Sequence, residues 1–124
     1  MELGTPTWPA LAQALLRNLQ TERYEVWVGT LAGVRICASS TDDSLTYSHN
    51  LGGSDRPTRA QAVALLQLMG NMHRELVAAD EAFRQFVAGK RFSAELIVFS
   101  GQMDFRVATL GADGAITWLV ELEV

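Results

Sequence analysis

The apolar residues of this chain switch between two spacings, and the switches mark its elements. Trp8, Leu11, Ala12, Leu15, Leu16 and Leu19 recur every three or four positions, which is one face of a helix. Thr5–Pro6 or Thr7 offers the start, because threonine caps well and proline is tolerated in a first turn. The pattern fades by Gln20–Thr21. Alternation replaces it. Tyr24, Val26 and Val28 alternate with Glu25 and Trp27, and after a turn expected between Gly29 and Gly33, Val34, Ile36 and Ala38 alternate with Arg35 and Cys37. Two such runs around a glycine-containing loop predict a hairpin. A third strand follows, with Leu45, Tyr47, His49 and Leu51 on one face and Thr46, Ser48 and Asn50 on the other.

Gly52–Gly53 ends that strand. Pro57 blocks an earlier helix, and Thr58 with Gln61 has capping-box spacing. Ala62, Leu65, Leu66, Met69, Met72, Leu76, Phe83 and Val87 then lie on one side of a long helical pattern. Asp80 falls in the middle of that side, where an unpaired charge is costly, and it is itself a good N-cap. A break at Ala79–Asp80 is therefore expected. Length agrees: an unbroken helix over 58–88 would be about 45 Å long, against roughly 35 Å for a compact domain of this size. Three further strands are expected at Ala94–Ser100, Met103–Leu110 and Ala115–Val124, with turns at Gly101–Gln102 and Ala112–Asp113–Gly114. In the last, Ile116, Trp118, Val120, Leu122 and Val124 share a face.

The order is α-βββ-α-βββ. It predicts one α+β domain over residues 1–124: an antiparallel sheet from two three-stranded meanders, with the N-terminal helix and a kinked central helix on one face. Trp27, Cys37, Leu96, Val98 and Leu119 are then the candidates for the opposite face. That is more apolar surface than a sheet leaves wet, unless the sheet curls over it.

Composition narrows the class. The chain has 124 residues, 48 % hydrophobic and 19 % charged, which is ordinary globular content with a single core. No apolar run approaches a bilayer span, and the start, with Glu2 and no basic segment, does not read as a signal peptide. One cysteine, Cys37, rules out an internal disulfide and fits a reducing cytoplasm. A net charge of −4 with no basic run argues against nucleic acid as a partner. Nine Arg against one Lys, with abundant Ala, points to a GC-rich bacterial genome.

Candidate chemistry concentrates in SSTDDSLTYSHNLGGSD, residues 39–55. Asp42, Asp43, Ser44, Tyr47, Ser48 and His49 contain every type that an Asp–His–Ser relay needs. Alternation sends Ser48 and His49 to opposite faces, and there is no G-x-S-x-G elbow. The segment reads better as a strand between a Ser/Asp turn and a Gly-Gly stop. Residues 52–58, GGSDRPT, lead into a helix with Arg56 and Arg59 nearby, but they are not a P-loop and Asp55 would repel an anion. His49 and His73 lie far apart with one Cys, so no metal site and no cofactor are expected. On the outward sheet face, Asp104 and Arg106 can pair with charges on a neighbouring strand.

The resulting expectation is a cytoplasmic protein without catalysis. It would bind another protein, and itself as a homodimer, through Trp27, Leu96, Val98 and Leu119. Small acidic bacterial proteins with this element order include chaperones dedicated to secreted substrates and immunity-type inhibitors of toxins, an analogy of architecture alone, and an adaptor role belongs to the same class. The alternative is a small-molecule binder or enzyme, with a pocket between central helix and sheet lined by Tyr47, His49, His73 and Trp118.

Overall fold

The computed structural model describes residues 7–21, 26–52, 57–100 and 103–122, and at 21, 26–28, 99, 100, 103 and 104 the backbone alone. The expected starts at Thr5–Pro6, the Gly101–Gln102 turn, Val124 and most of the 52–58 loop lie outside these residues. The elements are α1 (Trp8–Thr21), β1 (Val26–Leu31), β2 (Val34–Ser40), β3 (Ser44–Asn50), α2 (Arg59–Ala79), α3 (Glu81–Val87), β4 (Arg91–Ser100), β5 (Met103–Gly111) and β6 (Ile116–Trp118). The expected α-βββ-α-βββ order is what forms.

The six strands make one sheet in the order β1-β2-β3-β4-β5-β6. Four of the pairings are antiparallel, and β3 with β4 is parallel. That parallel pair joins the two meanders, and it exists because α2 and α3 carry the chain back across the sheet between them. β3 is therefore central, flanked by β2 and β4. Both of its edges are paired, so it offers none to a partner.

Local chemistry accounts for the element ends. β1 and β2 meet in a two-residue loop, Ala32–Gly33, with φ of 52° and 78°. Positive φ at both positions is the type I′ turn that matches strand twist, and glycine takes its second position without strain. The turn is thus shorter than expected, and Gly29 belongs to β1 opposite Ile36. Thr58 accepts from the Gln61 amide at 3.1 Å, and the Gln61 side chain accepts from the Thr58 amide at 2.9 Å, completing the capping box. Asp80 ends α2 in an extended conformation and starts α3 by accepting from the Phe83 amide at 2.9 Å. Arg84 of α3 donates back to the Val77 carbonyl at 3.0 Å, satisfying one of the orphan groups at the end of α2. Asp80→Ala is expected to lower unfolding stability by about 1 kcal/mol, with Asp80→Asn retaining most of it. Equal denaturation midpoints for wild type and Asp80→Ala would show that the cap contributes nothing.

The register divides the sheet into rows. Ala38, Tyr47, Ala94, Leu110 and Ile116 are successive partners across five strands, and the next row runs His49, Leu96, Ala108, Trp118. This is the face the helices cover. Leu11, Leu15 and Leu19 of α1, Leu66, Met69, Met72 and Leu76 of α2 and Phe83 of α3 join it in one core. The opposite face carries the row Cys37, Ser48, Glu95, Thr109, Thr117. β6 is shorter than the expected Ala115–Val124. Two successive amides, Leu119 and Val120, point at one carbonyl, that of Val107, so the ladder stops and the chain bends. Val120 and Leu122 still pack against the core.

Candidate functional site

The residues expected to line a pocket separate into three sets. Tyr47 is fully buried (0 % exposed), and its flanking row-mates Ala38 and Ala94 are small enough to leave room for the ring. Its hydroxyl lies 2.8 Å from Nδ1 of His73 on α2. The His73 ring stacks on Phe92 at 4.8 Å between centroids and meets Tyr47 and Phe83 edge-on. Burial, then the neighbouring Arg74 cation, push the imidazole down to about 4, so His73 is neutral near pH 7. Burial alone pushes the Tyr47 phenol well above its ordinary value. A neutral imidazole offers Nδ1 as acceptor for the phenol's proton. The pair satisfies two polar groups inside an aromatic cluster, the condition for burying them.

His49 is elsewhere in use. Its Nδ1 is 2.7 Å from the Arg35 carbonyl of β2, and a carbonyl can only accept, so Nδ1 carries the proton. Trp118 lies under the Arg59 guanidinium, 4.7 Å from the ring centroid, where the first residue of α2 crosses β6. Tyr47 and His73 meet, therefore, while His49 and Trp118 hold other parts of the fold.

The Asp–Ser segment is also structural. Thr41 Oγ1 donates to Asp43 at 2.9 Å and contacts Ser44 Oγ at 2.6 Å, and the Thr41 amide donates to the Ser44 carbonyl. Lys90, leaning over Phe86, donates to the Thr41 carbonyl at 2.5 Å and ties this turn to the start of β4. Among the described residues no group of three or more His, Cys, Asp and Glu is placed to hold a metal ion. No helix of the described residues is long and apolar enough to cross a membrane.

The expected interface needs correction. Leu96 is 0 % exposed and lies on the covered face beside His49 and Ala108. Val98, of the same parity, packs against the same core. Neither belongs to the opposite face. The reason is register: Leu96-Ile97-Val98 is apolar throughout, so its own pattern does not choose a face, and pairing with β3 does. The Trp27 backbone pairs with Ala38, and its side chain lies outside what is described. Cys37 is half-buried, and its row-mates are serine, glutamate and threonine. The uncovered face is therefore mostly polar, and the apolar excess expected there is absent from its described residues.

Exposed apolar surface sits at an edge instead. The large hydrophobic side chains exposed among the described residues are Phe105, at 47 %, and Leu119, at 50 %. Both stand by the end of the β5–β6 ladder. Leu119 bonds to Val107, and Phe105 lies two residues beyond, where β5 runs on without β6. Between Leu96 and Ile97 the register of β4 slips against β5, leaving Val107 as an extra residue. Such a bulge bends its strand. Leu119 was among the sequence candidates. Phe105 was not, and its visible signal is a phenylalanine between two opposite charges, Asp104 and Arg106, near a hairpin end.

Comparison with known proteins adds no relative: no family model, no curated protein and no solved structure matches this chain.

Proposed function

We propose that this protein is a non-catalytic binding module that holds another polypeptide chain at the end of β5 that no described strand covers. The observation that carries this reading is the placement of Phe105 and Leu119. An edge strand presents unpaired amides and carbonyls as a template for another strand, and apolar side chains beside it supply binding energy. Here β6 pairs with Ala108–Leu110 and a bend follows, so no described strand covers Met103–Arg106.

The fate of the reactive-looking residues supports the same reading. His49, Asp43 and the Tyr47–His73 pair are each bonded into turns, strands or core contacts. An adaptor, a chaperone for secreted chains or an inhibitor of a toxin would each need such a surface. We place the protein in a bacterial cytoplasm, where its lone thiol stays reduced.

Chemical cross-linking in the host cell, followed by mass spectrometry, tests this. Wild type is expected to be joined to a polypeptide, a second copy included. Phe105→Asp and Leu119→Glu are expected to lose it with unchanged circular dichroism, since both side chains are surface ones. If both variants keep every wild-type cross-link, the edge is not the binding surface.

A further inference from the structure

We infer that the chain received at this end of β5, uncovered by any described strand, is a second copy of this protein, paired antiparallel about a two-fold axis at Phe105. This rests on the reading of that edge as a binding surface. The segment of β5 that no described strand covers reads Met103-Asp104-Phe105-Arg106. Two identical strands paired antiparallel place their symmetry axis between a residue and its own copy. Centred on Phe105, the register sets Asp104 of each copy opposite Arg106 of the other, twice, and Phe105 opposite Phe105. Centred on Asp104 or on Arg106 it would set like charges face to face, which is destabilising. One register is thus favoured.

The charges also say why a second copy fits better than an arbitrary strand. An unguarded edge recruits any extended chain, and charged residues on it are the usual protection. Asp104 and Arg106 admit a chain with the reverse charge order, and this chain read antiparallel has that order. Arg106 is solvent-accessible, its side chain 64 % exposed, and it is held in its own sheet by an ion pair to Glu95 at 4.0 Å, a surface pair weak enough to exchange for another carboxylate. Leu119, bonded beside Val107, stands where the partner strand must end. The contact thus sets Phe105 against its own copy, with Leu119 at the end of the shared ladder. The bond from Leu119 to Val107 limits the shared ladder to a few residues, so the dimer is weak and forms at high protein concentration.

Sedimentation equilibrium on charge-swapped proteins tests the register. Wild type is expected to dimerise reversibly in the high micromolar range. Asp104→Arg and Arg106→Asp should each raise the dissociation constant by about tenfold, because each turns two attractive pairs into repulsive ones. The double variant Asp104→Arg/Arg106→Asp should return to wild-type association. An equal mixture of the two single variants should form a heterodimer more readily than either associates alone. Thermal melts confirm that each variant folds. Wild-type dimers that both single variants form equally well would overturn this register while leaving the edge reading standing. A wild type that stays monomeric at high micromolar concentration would overturn the second copy as partner, and the edge reading would then rest on the cross-linked polypeptides alone.

Discussion

Tyr47→Ala is expected to cost about 4 kcal/mol of unfolding free energy, the range for deleting a buried aromatic ring. Tyr47 is fully buried on the central strand between Ala38 and Ala94, with α2 above it. Small neighbours that make room for the ring cannot move in to fill its space, so a cavity remains. The variant also leaves Nδ1 of His73 without its partner. Tyr47→Phe isolates that second effect. It keeps the ring and removes the hydroxyl, so it is expected to cost about 1–2 kcal/mol, the penalty for a partly buried acceptor left unbonded. Urea unfolding of both variants, with midpoint shifts at constant slope, measures the two contributions. A Tyr47→Phe protein as weak as Tyr47→Ala would mean that the hydrogen bond, not the ring, holds α2 to the sheet. Tyr47→Ala within 1 kcal/mol of wild type, against the expected ~4, would contradict the packing described.

The second large effect is one of pH. In the folded chain His73 takes a proton only near pH 4, whereas in the unfolded chain it does so near its ordinary value of 6.5. Between those values the unfolded state binds a proton that the folded state refuses, so stability rises with pH across that window. The contribution is complete above about pH 6.5, is lost as pH falls toward 4, and is level below that. Its size is about 2 kcal/mol, once solvent screening of a half-buried ring is allowed for. His73→Gln removes the titrating group and keeps an acceptor for the Tyr47 hydroxyl. Its stability should therefore be flatter than wild type between pH 4 and 6.5, with the curves diverging on the acid side. Parallel curves would show that the proton on His73 has no influence on folding.

The two effects share a cause that lies across the chain rather than along it. Tyr47 and His73 are 26 residues apart, one in a period-two pattern and one in a helical pattern. Each pattern indicated a core-facing residue by itself, and neither indicated the bond between them. His49 is the instructive contrast. It shares a strand face with Tyr47, yet its Nδ1 meets the Arg35 carbonyl of the neighbouring strand β2. The atom that meets His49 depends on which strand lies beside β3, and the one that meets His73 on how α2 sits over the sheet; a single element's pattern carries no information about its neighbours.

The helix break at Asp80, the Thr58–Gln61 capping box and the α-βββ-α-βββ order follow from the sequence by itself. Each depends on residues within a few positions of one another: an acid in the middle of an apolar stripe, a hydroxyl three residues before a glutamine, alternation between turns. Local hydrogen bonds and burial periodicity indicate such features without reference to any distant contact. Only the tertiary structure decided which face Leu96 and Val98 take. It also decided that β3 and β4 pair in parallel and that β6 stops at Trp118. In a run of three apolar residues either parity buries a hydrophobe, so the choice passes to the register that Tyr47 and Ala94 set across the strands. The same long-range pairing leaves Phe105 and Leu119 in the open. An exposed edge exists only once the rest of the sheet has taken its partners.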